Sequence, residues 1–186
     1  MAVRKVLFQN EEFDVSKKEE DKPAFERDGH ETDSDYLKPI LRCGLECNNA
    51  EEAPEEADTG FYGDPTESAL LVAARKGGLD ERSERKREIP FNSDRKRMTG
   101  APEVILEKST RVLIDGEVQD LTEDHREKIV EKNEEFSKDA LRTLGFARKE
   151  VEDPEAEENE IENGMVFLGI QGMIDPPREE VPQAVQ

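Results

Sequence analysis

Five short strings follow one another along the chain, and each of them indicates a different local structure. They are GDPTESALL at 63–71, IPFNSDRKRM at 89–98, GAPEVIL at 100–106, LRTLGFA at 141–147 and MIDPPREEV at 173–181. The first opens a helix, because Asp64 can cap it and Pro65 suits its first position. The second and fourth contain strand patterns, the third a short helix, and the fifth ends a strand at two prolines. Any fold that contains all five must therefore combine helices with strands.

The remaining segments predict the same mixture. Strands are predicted near 3–8, 12–15, 111–114, 117–119, 144–147 and 165–174, and helices over 36–47, from 64 to the glycines at 77–78, over 102–108 and over 122–141. Asp115 and Gly116 indicate a hairpin turn. Segments 9–33 and 151–163 are expected to be acidic loops. Because the strands and helices do not alternate as βαβ units, residues 1–186 are interpreted as one α+β domain.

The composition provides few apolar residues for a hydrophobic core. Apolar residues make up 33% and charged residues 40%, with a formal net charge of −20. A modest core with long solvated loops is expected. A negative field of this size repels nucleic acid and anionic lipid surfaces, so neither is an expected partner. No stretch approaches the ~20 apolar residues of a membrane span. We therefore expect a soluble, monomeric fragment in a cytosolic setting, without direct membrane contact.

A basic cluster interrupts the acidic background. It consists of Arg82, Arg85, Lys86, Arg87, Arg95, Lys96 and Arg97. A nucleotide site in such an acidic protein would need cations of this kind. The alternative interpretation of the cluster is a solvated basic face without a ligand.

The two cysteines, Cys43 and Cys47, lie four residues apart and so share one face of a helix. A structural zinc site needs about four ligands, and no further Cys or His lies nearby. The sequence therefore predicts no metal site, and both cysteines are expected to be reduced and structural.

Taken together and in this order, the five strings resemble the nucleotide-binding domain of P-type cation-transporting ATPases, in the calcium-pump-like type II branch. The resemblance implies an antiparallel β-sheet flanked by helix pairs. It implies ATP as the ligand, with Mg²⁺ as its counter-ion in the parent protein. It further implies that the chain is a cytoplasmic domain of an integral membrane protein, whose partners are the phosphorylation and actuator domains of the same parent chain. Calcium is the ion that the resemblance favours.

The resemblance also assigns roles around the nucleotide. Phe91 would stack on adenine, and Lys96 would lie beside the nucleotide. Glu67 would accept a hydrogen bond from the adenine amino group. Gly100 opens the GAPE string and belongs to the same set. Arg142 would reach the phosphates, where its planar fork suits bidentate contact.

Each of these residues has an alternative reading from local pattern alone. Phe91 alternates with Ile89 and could be a core residue of a strand. Glu67 falls at the third helical position of a capping box with Asp64. Arg142 follows a helix and could be solvated, or could interact with that helix's C-terminus.

The last string contains Asp175, Pro176, Pro177 and Arg178. Two prolines stiffen this segment. By resemblance it is a hinge toward the phosphorylation domain, and the alternative is a plain loop.

The chain departs from the family pattern in two places. The acceptor motif DKTGT is absent, so the fragment is expected to bind ATP without catalysis and to carry no catalytic residue. Thr99 runs directly into Gly100, where the family has two core strands and a Lys that lines the nucleotide pocket.

These departures keep a rival function open. The chain could be an acidic α+β interaction module that has lost nucleotide binding, or a partly disordered acidic regulatory segment. A P-loop enzyme is disfavoured, because GxxxxGK[ST] is absent.

Overall fold

The computed structural model describes residues 1–17, 24–53, 61–84, 101–153 and 155–174. The strands are β1 (Ala2–Phe8), β2 (Glu11–Val15), β3 (Phe25–Arg27), β4 (His30–Glu31), β5 (Glu51–Glu52), β6 (Phe61–Tyr62), β7 (Ser109–Ile114), β8 (Glu117–Asp120), β9 (Arg142–Arg148) and β10 (Met165–Ile174). The helices are α1 (Ser34–Glu46), α2 (Pro65–Lys76), α3 (Pro102–Lys108), α4 (Glu123–Lys138) and α5 (Glu158–Ile161).

The main sheet is built around β10, which pairs with three other strands. Its strand order is β4-β3-β2-β1-β10-β7-β8, and β9 also pairs with β10. Both β1 and β9 run antiparallel to β10, whereas β7 runs parallel to its first three residues. The expected antiparallel sheet is therefore confirmed, with one parallel pair in it. Strands β5 and β6 form a separate two-stranded sheet.

Helices cover both faces of the sheet. Successive side chains of a strand point to opposite faces, and in β1 both Val6 and Phe8 join the core under α1 and α2, while Leu7 joins the core under α3 and α4. The first core contains Leu37 and Leu41 of α1, and the second contains Phe136 of α4. The predicted flanking helix pairs are thus confirmed, and the domain is α+β.

The structure corrects the expected acidic loops. The strand predicted near 12–15 is present as β2, but segment 9–33 also contains β3 and β4, and segment 151–163 contains α5. The aromatic rings of Phe13 and Phe25 are buried in the first core, which holds these short strands in place. Their remaining residues are polar and partly exposed, so the pattern along the sequence resembled a loop.

Several element boundaries also differ from prediction. Helix α1 is capped by Asp33, whose side chain accepts from the Asp35 amide at 3.0 Å. Pro39 lies inside the helix. Helix α4 ends at Lys138, before Ala140 adopts a φ of 58°. Strand β9 consequently begins earlier than expected, at Arg142.

Candidate functional site

The ends of three strands lie together at one edge of the main sheet. Ala2 pairs with Ile174, and Met173 pairs with both Val3 and Arg142. The start of β1, the start of β9 and the end of β10 therefore lie together. The first turn of α2 reaches the same edge, because the Thr66 hydroxyl oxygen lies 3.5 Å from the Met1 sulfur.

The N-terminus of α2 is fixed by Asp64. This residue is the N-cap, as predicted, and its carboxylate accepts from the Thr66 amide at 2.7 Å. Glu67 does not complete a capping box. Within the described part of α2, its carboxylate accepts no hydrogen bond from the Asp64 amide. The half-buried Glu67 carboxylate is therefore not committed to helix capping.

Asp64 and Arg142 interact electrostatically across this edge. The pKa of the Asp64 carboxyl lies below its usual range, mainly because the Thr66 hydroxyl donates to it, and the positive charge of Arg142 contributes. Arg142 is exposed and is the first residue of β9, so it lies in the strand and not at a helix C-terminus. Asp64 was identified from sequence as a cap only, because nothing in the local pattern shows which cation lies opposite it.

A buried asparagine positions the loop before α2. The Asn48 side chain donates to the Glu67 carbonyl at 2.7 Å and accepts from the Ala50 amide at 2.8 Å. Gly63 approaches this loop so closely that a Cβ there would lie 2.9 Å from the Ala50 Cα, and its φ is +133°. Only glycine suits that combination of conformation and contact. The GDPTE string is thereby held against the segment that follows α1.

The basic cluster is described only at its first member. Arg82 donates to the Ala50 carbonyl at 2.6 Å and to the Asn48 side-chain oxygen at 3.4 Å. Its guanidinium therefore supports the same loop. The other six cations lie outside the described residues.

The GAPE and LRTLGFA strings are in direct contact. A Cβ at Gly145 of β9 would lie 2.8 Å from the Pro102 Cα, so α3 packs against the strand backbone. Arg126 of α4 donates to the Leu106 and Ser109 carbonyls at 2.7 and 2.9 Å, which satisfies the end of α3. The GAPE and LRTLGFA strings, which are separated in the sequence, therefore meet where α3 packs on β9.

The structure therefore brings Arg142 and the α2 turn that carries Glu67 to one edge. Phe91, Lys96 and Gly100 lie outside the described residues, and so does the hinge segment 175–178. Their assigned roles stay predictions. Strand β10 ends at Ile174, one residue before Asp175.

Neither a metal cluster nor a membrane span is found among the described ranges. No group of three or more His, Cys, Asp or Glu side chains there could hold a metal ion. No described helix is long and apolar enough to cross a bilayer.

Sequence comparison supports the resemblance. The chain matches the family model described as P-type ATPase, cytoplasmic domain N, over residues 36–99 and 98–180. The two segments meet at 98–99, directly before the GAPE string.

Curated relatives extend the similarity over most of the chain. A "Calcium-transporting ATPase 1" of Bacillus cereus is 35% identical over 82% of this chain and 19% of that protein. A "Calcium-transporting ATPase 1" of Lactococcus lactis is 36% identical over 80% of the chain and 19% of its own length. A "Cation-transporting ATPase pma1" of Synechocystis is 35% identical over 84% and 20%. The chain spans about a fifth of the length of these relatives, and it belongs to the family of P-type ATPase cytoplasmic N domains, of the calcium-pump-like type.

Proposed function

We propose that this domain binds ATP and presents its γ-phosphate to the phosphorylation domain of a cation-transporting parent protein. The observation that carries the proposal is the placement of Arg142 and the N-terminal turn of α2 at one edge of the sheet. Calcium is the proposed ion, because relatives that cover most of the chain are calcium-transporting ATPases.

Arg142 is the proposed phosphate ligand. Its exposed guanidinium presents donors in a rigid fork, which matches two oxygens of one phosphate group. Asp64 lies close enough for the two charges to interact.

The adenine side of the site is assigned to Glu67, Phe91, Lys96 and Gly100. The Glu67 carboxylate is available to accept from the adenine amino group, since it is not used in a capping box. Phe91 supplies a stacking surface, worth roughly 1–3 kcal/mol for one base. Lys96 adds a cation beside the nucleotide, and Gly100 opens the string that leads into α3.

Mg²⁺ would enter with the nucleotide. This ion keeps several waters and binds through phosphates plus one or two carboxylates, and the carboxylate of Asp64, the N-cap of α2, lies at this edge. The donor set thus fits an ion that is held mainly by ATP. Asp175, Pro176, Pro177 and Arg178 are proposed as the hinge, and the aspartyl phosphate would form on the parent's own acceptor domain.

An ATP titration followed by two-dimensional amide NMR tests the proposal. The site lacks its phosphate-side partners, so we expect a Kd of roughly 0.1–1 mM. Arg142→Ala should weaken binding by about 10-fold or more, because hydrogen bonds to charged groups contribute about 1.5–3 kcal/mol. Phe91→Ala should weaken it to a similar extent.

Arg148→Ala is the matched control. Arg148 is an exposed arginine on the same strand, but it pairs with Val166 at the other end of β9. Its loss should leave ATP affinity unchanged. A well-dispersed spectrum without saturable shifts at millimolar ATP would reject the proposal and favour the acidic interaction module.

A further inference from the structure

The C-terminal end of α1 carries both cysteines of the chain. Cys43 lies in the last turn, and Cys47 is the C-cap, with its amide donating to the Cys43 carbonyl at 3.0 Å. Both are thiols in the structure, Cys43 half-buried and Cys47 exposed. Nothing in the nucleotide site described above uses either side chain.

The two thiols lie in different environments. The Cys43 thiol donates to the Ala147 carbonyl of β9 at 3.4 Å. Its pKa lies well above the usual value, first because it is hydrogen-bonded with the Cys47 thiol and then because it is buried. Cys43 therefore stays protonated next to its neighbour, while an oxidant from solvent meets Cys47 first.

The backbone at Cys47 can bring the two sulfurs together. Side chains four apart on a helix have Cβ atoms about 5–6 Å from each other, whereas a disulfide needs about 3.5–4.5 Å. Cys47 is the C-cap of α1, so only the last turn has to tighten to bring the two Cβ atoms closer. A bond formed under such strain is easily reduced, as is typical of regulatory disulfides.

We propose that Cys43 and Cys47 form a reversible intrachain disulfide, and that this pair is a peroxide-responsive modification site. The Cys47 thiolate attacks one peroxide oxygen, the O–O bond breaks, and water leaves with the thiol proton, which gives a sulfenic acid. The Cys43 sulfur then attacks the Cys47 sulfur. The S–O bond breaks, and a second water leaves with the Cys43 proton. A thiol reductant reverses the reaction by exchange.

The disulfide would act on the loop that follows. Asn48 is adjacent to Cys47, is only 1% exposed, and bonds both the Glu67 carbonyl and the Ala50 amide. Movement of Cys47 toward Cys43 pulls on these bonds. Oxidation is therefore expected to loosen the contact between the end of α1 and the first turn of α2.

Peroxide treatment of the whole chain, followed by thiol counting and peptide mass analysis, tests the proposal. Trypsin releases both cysteines in peptide 43–75, which contains no methionine, so oxidation of the four methionines does not interfere. We expect this peptide to lose two hydrogens in the monomeric protein and to regain them with glutathione.

In Cys43→Ser, dimedone should trap a sulfenic acid at Cys47. In Cys47→Ser, dimedone trapping at Cys43 should be weaker than trapping at Cys47 in Cys43→Ser, because Cys43 is the less exposed of the two thiols.

Amide hydrogen exchange tests the transmission to α2. Oxidised protein should exchange faster than reduced protein at Asn48–Ala50, and a Cys43→Ser/Cys47→Ser double variant treated with peroxide should not change. Persistence of both thiols, disulfides formed only between chains, or preferential trapping at Cys43 would each overturn the proposal. An intrachain disulfide with unchanged exchange would overturn its effect on the loop.

Discussion

At the scale of single residues, Tyr36 shows how burial and one carboxylate set a side chain's chemistry. Its ring lies against Phe8 in an edge-on contact, with centroids 5.4 Å apart, and its hydroxyl donates to Glu11 at 3.0 Å. The other Glu11 oxygen accepts from Arg27. Burial first, and then the Glu11 carboxylate, raises the pKa of Tyr36 to about 12.

This shift predicts an alkaline transition. The neutral phenol is favoured in the folded state, so the stability it contributes is complete below about pH 10 and is lost as pH rises from 10 to about 12. The chain has two tyrosines, and a Tyr62→Phe variant leaves Tyr36 alone for ultraviolet titration. We expect a midpoint near 12 there, and a lower one after Glu11→Gln. A midpoint near 10 with intact Glu11 would contradict the assignment.

At the scale of elements, the close approach of α3 to β9 is the most demanding contact near the site. A Cβ at Gly145 would lie 2.8 Å from the Pro102 Cα and 3.3 Å from the Ile105 Cβ. A backbone atom cannot give way as a flexible side chain can. The helix and the strand must therefore separate to admit even one methyl group.

Gly145→Ala is accordingly expected to lower the free energy of unfolding by about 1–3 kcal/mol, as overpacking in a core does. Urea unfolding measures the change. Gly44→Ala in α1 is the matched control, because its added Cβ would meet the Gln171 side-chain nitrogen at 3.1 Å, an atom at the end of a side chain. Equal losses in the two variants would show that the Gly145 contact is not special.

Local signals were sufficient for some elements and not for others. Asp115 and Gly116 both have positive φ, and the turn they predict is present because its chemistry is contained in two residues. Strands β3 and β4 were missed because their pairing depends on β2, and their own residues are mostly polar. The alternative reading of Glu67 as a capping-box residue is not met, because Glu67 makes no return bond to the Asp64 backbone within the described part of α2. The placement of Arg142 beside the start of α2 depends on how β1, β9 and β10 pair, which no local pattern encodes.

At the scale of the whole molecule, net charge opposes compactness. The formal charge is −20, and like charges on a folded surface repel one another more than they do in the expanded chain. Ion pairs such as Lys5–Glu12, with 2.6 Å between nitrogen and oxygen, act against this only locally.

Added salt should therefore stabilise the domain. Raising ionic strength from about 0.01 to 0.1 M shortens the screening length from about 30 to 10 Å. We expect Tm at pH 7 to rise by a few degrees, since about 1 kcal/mol moves Tm by about 2–4 °C at this size. Near the sequence pI of about 4.5 the effect should nearly vanish. A fall in Tm with salt at pH 7 would show that ion pairs outweigh the net repulsion.

The central position of β10 also determines when the domain can fold. This strand pairs with β1, β7 and β9, yet it is the last strand along the described chain. During synthesis on the ribosome, β1 emerges before β10, and the two strands cannot pair until residues 165–174 have left the exit tunnel. Until then the sheet on which both helix pairs pack lacks its central strand. Nascent chains stalled with residues 165–174 still inside the exit tunnel should accordingly remain sensitive to protease, and those in which these residues have emerged should become resistant in a single step.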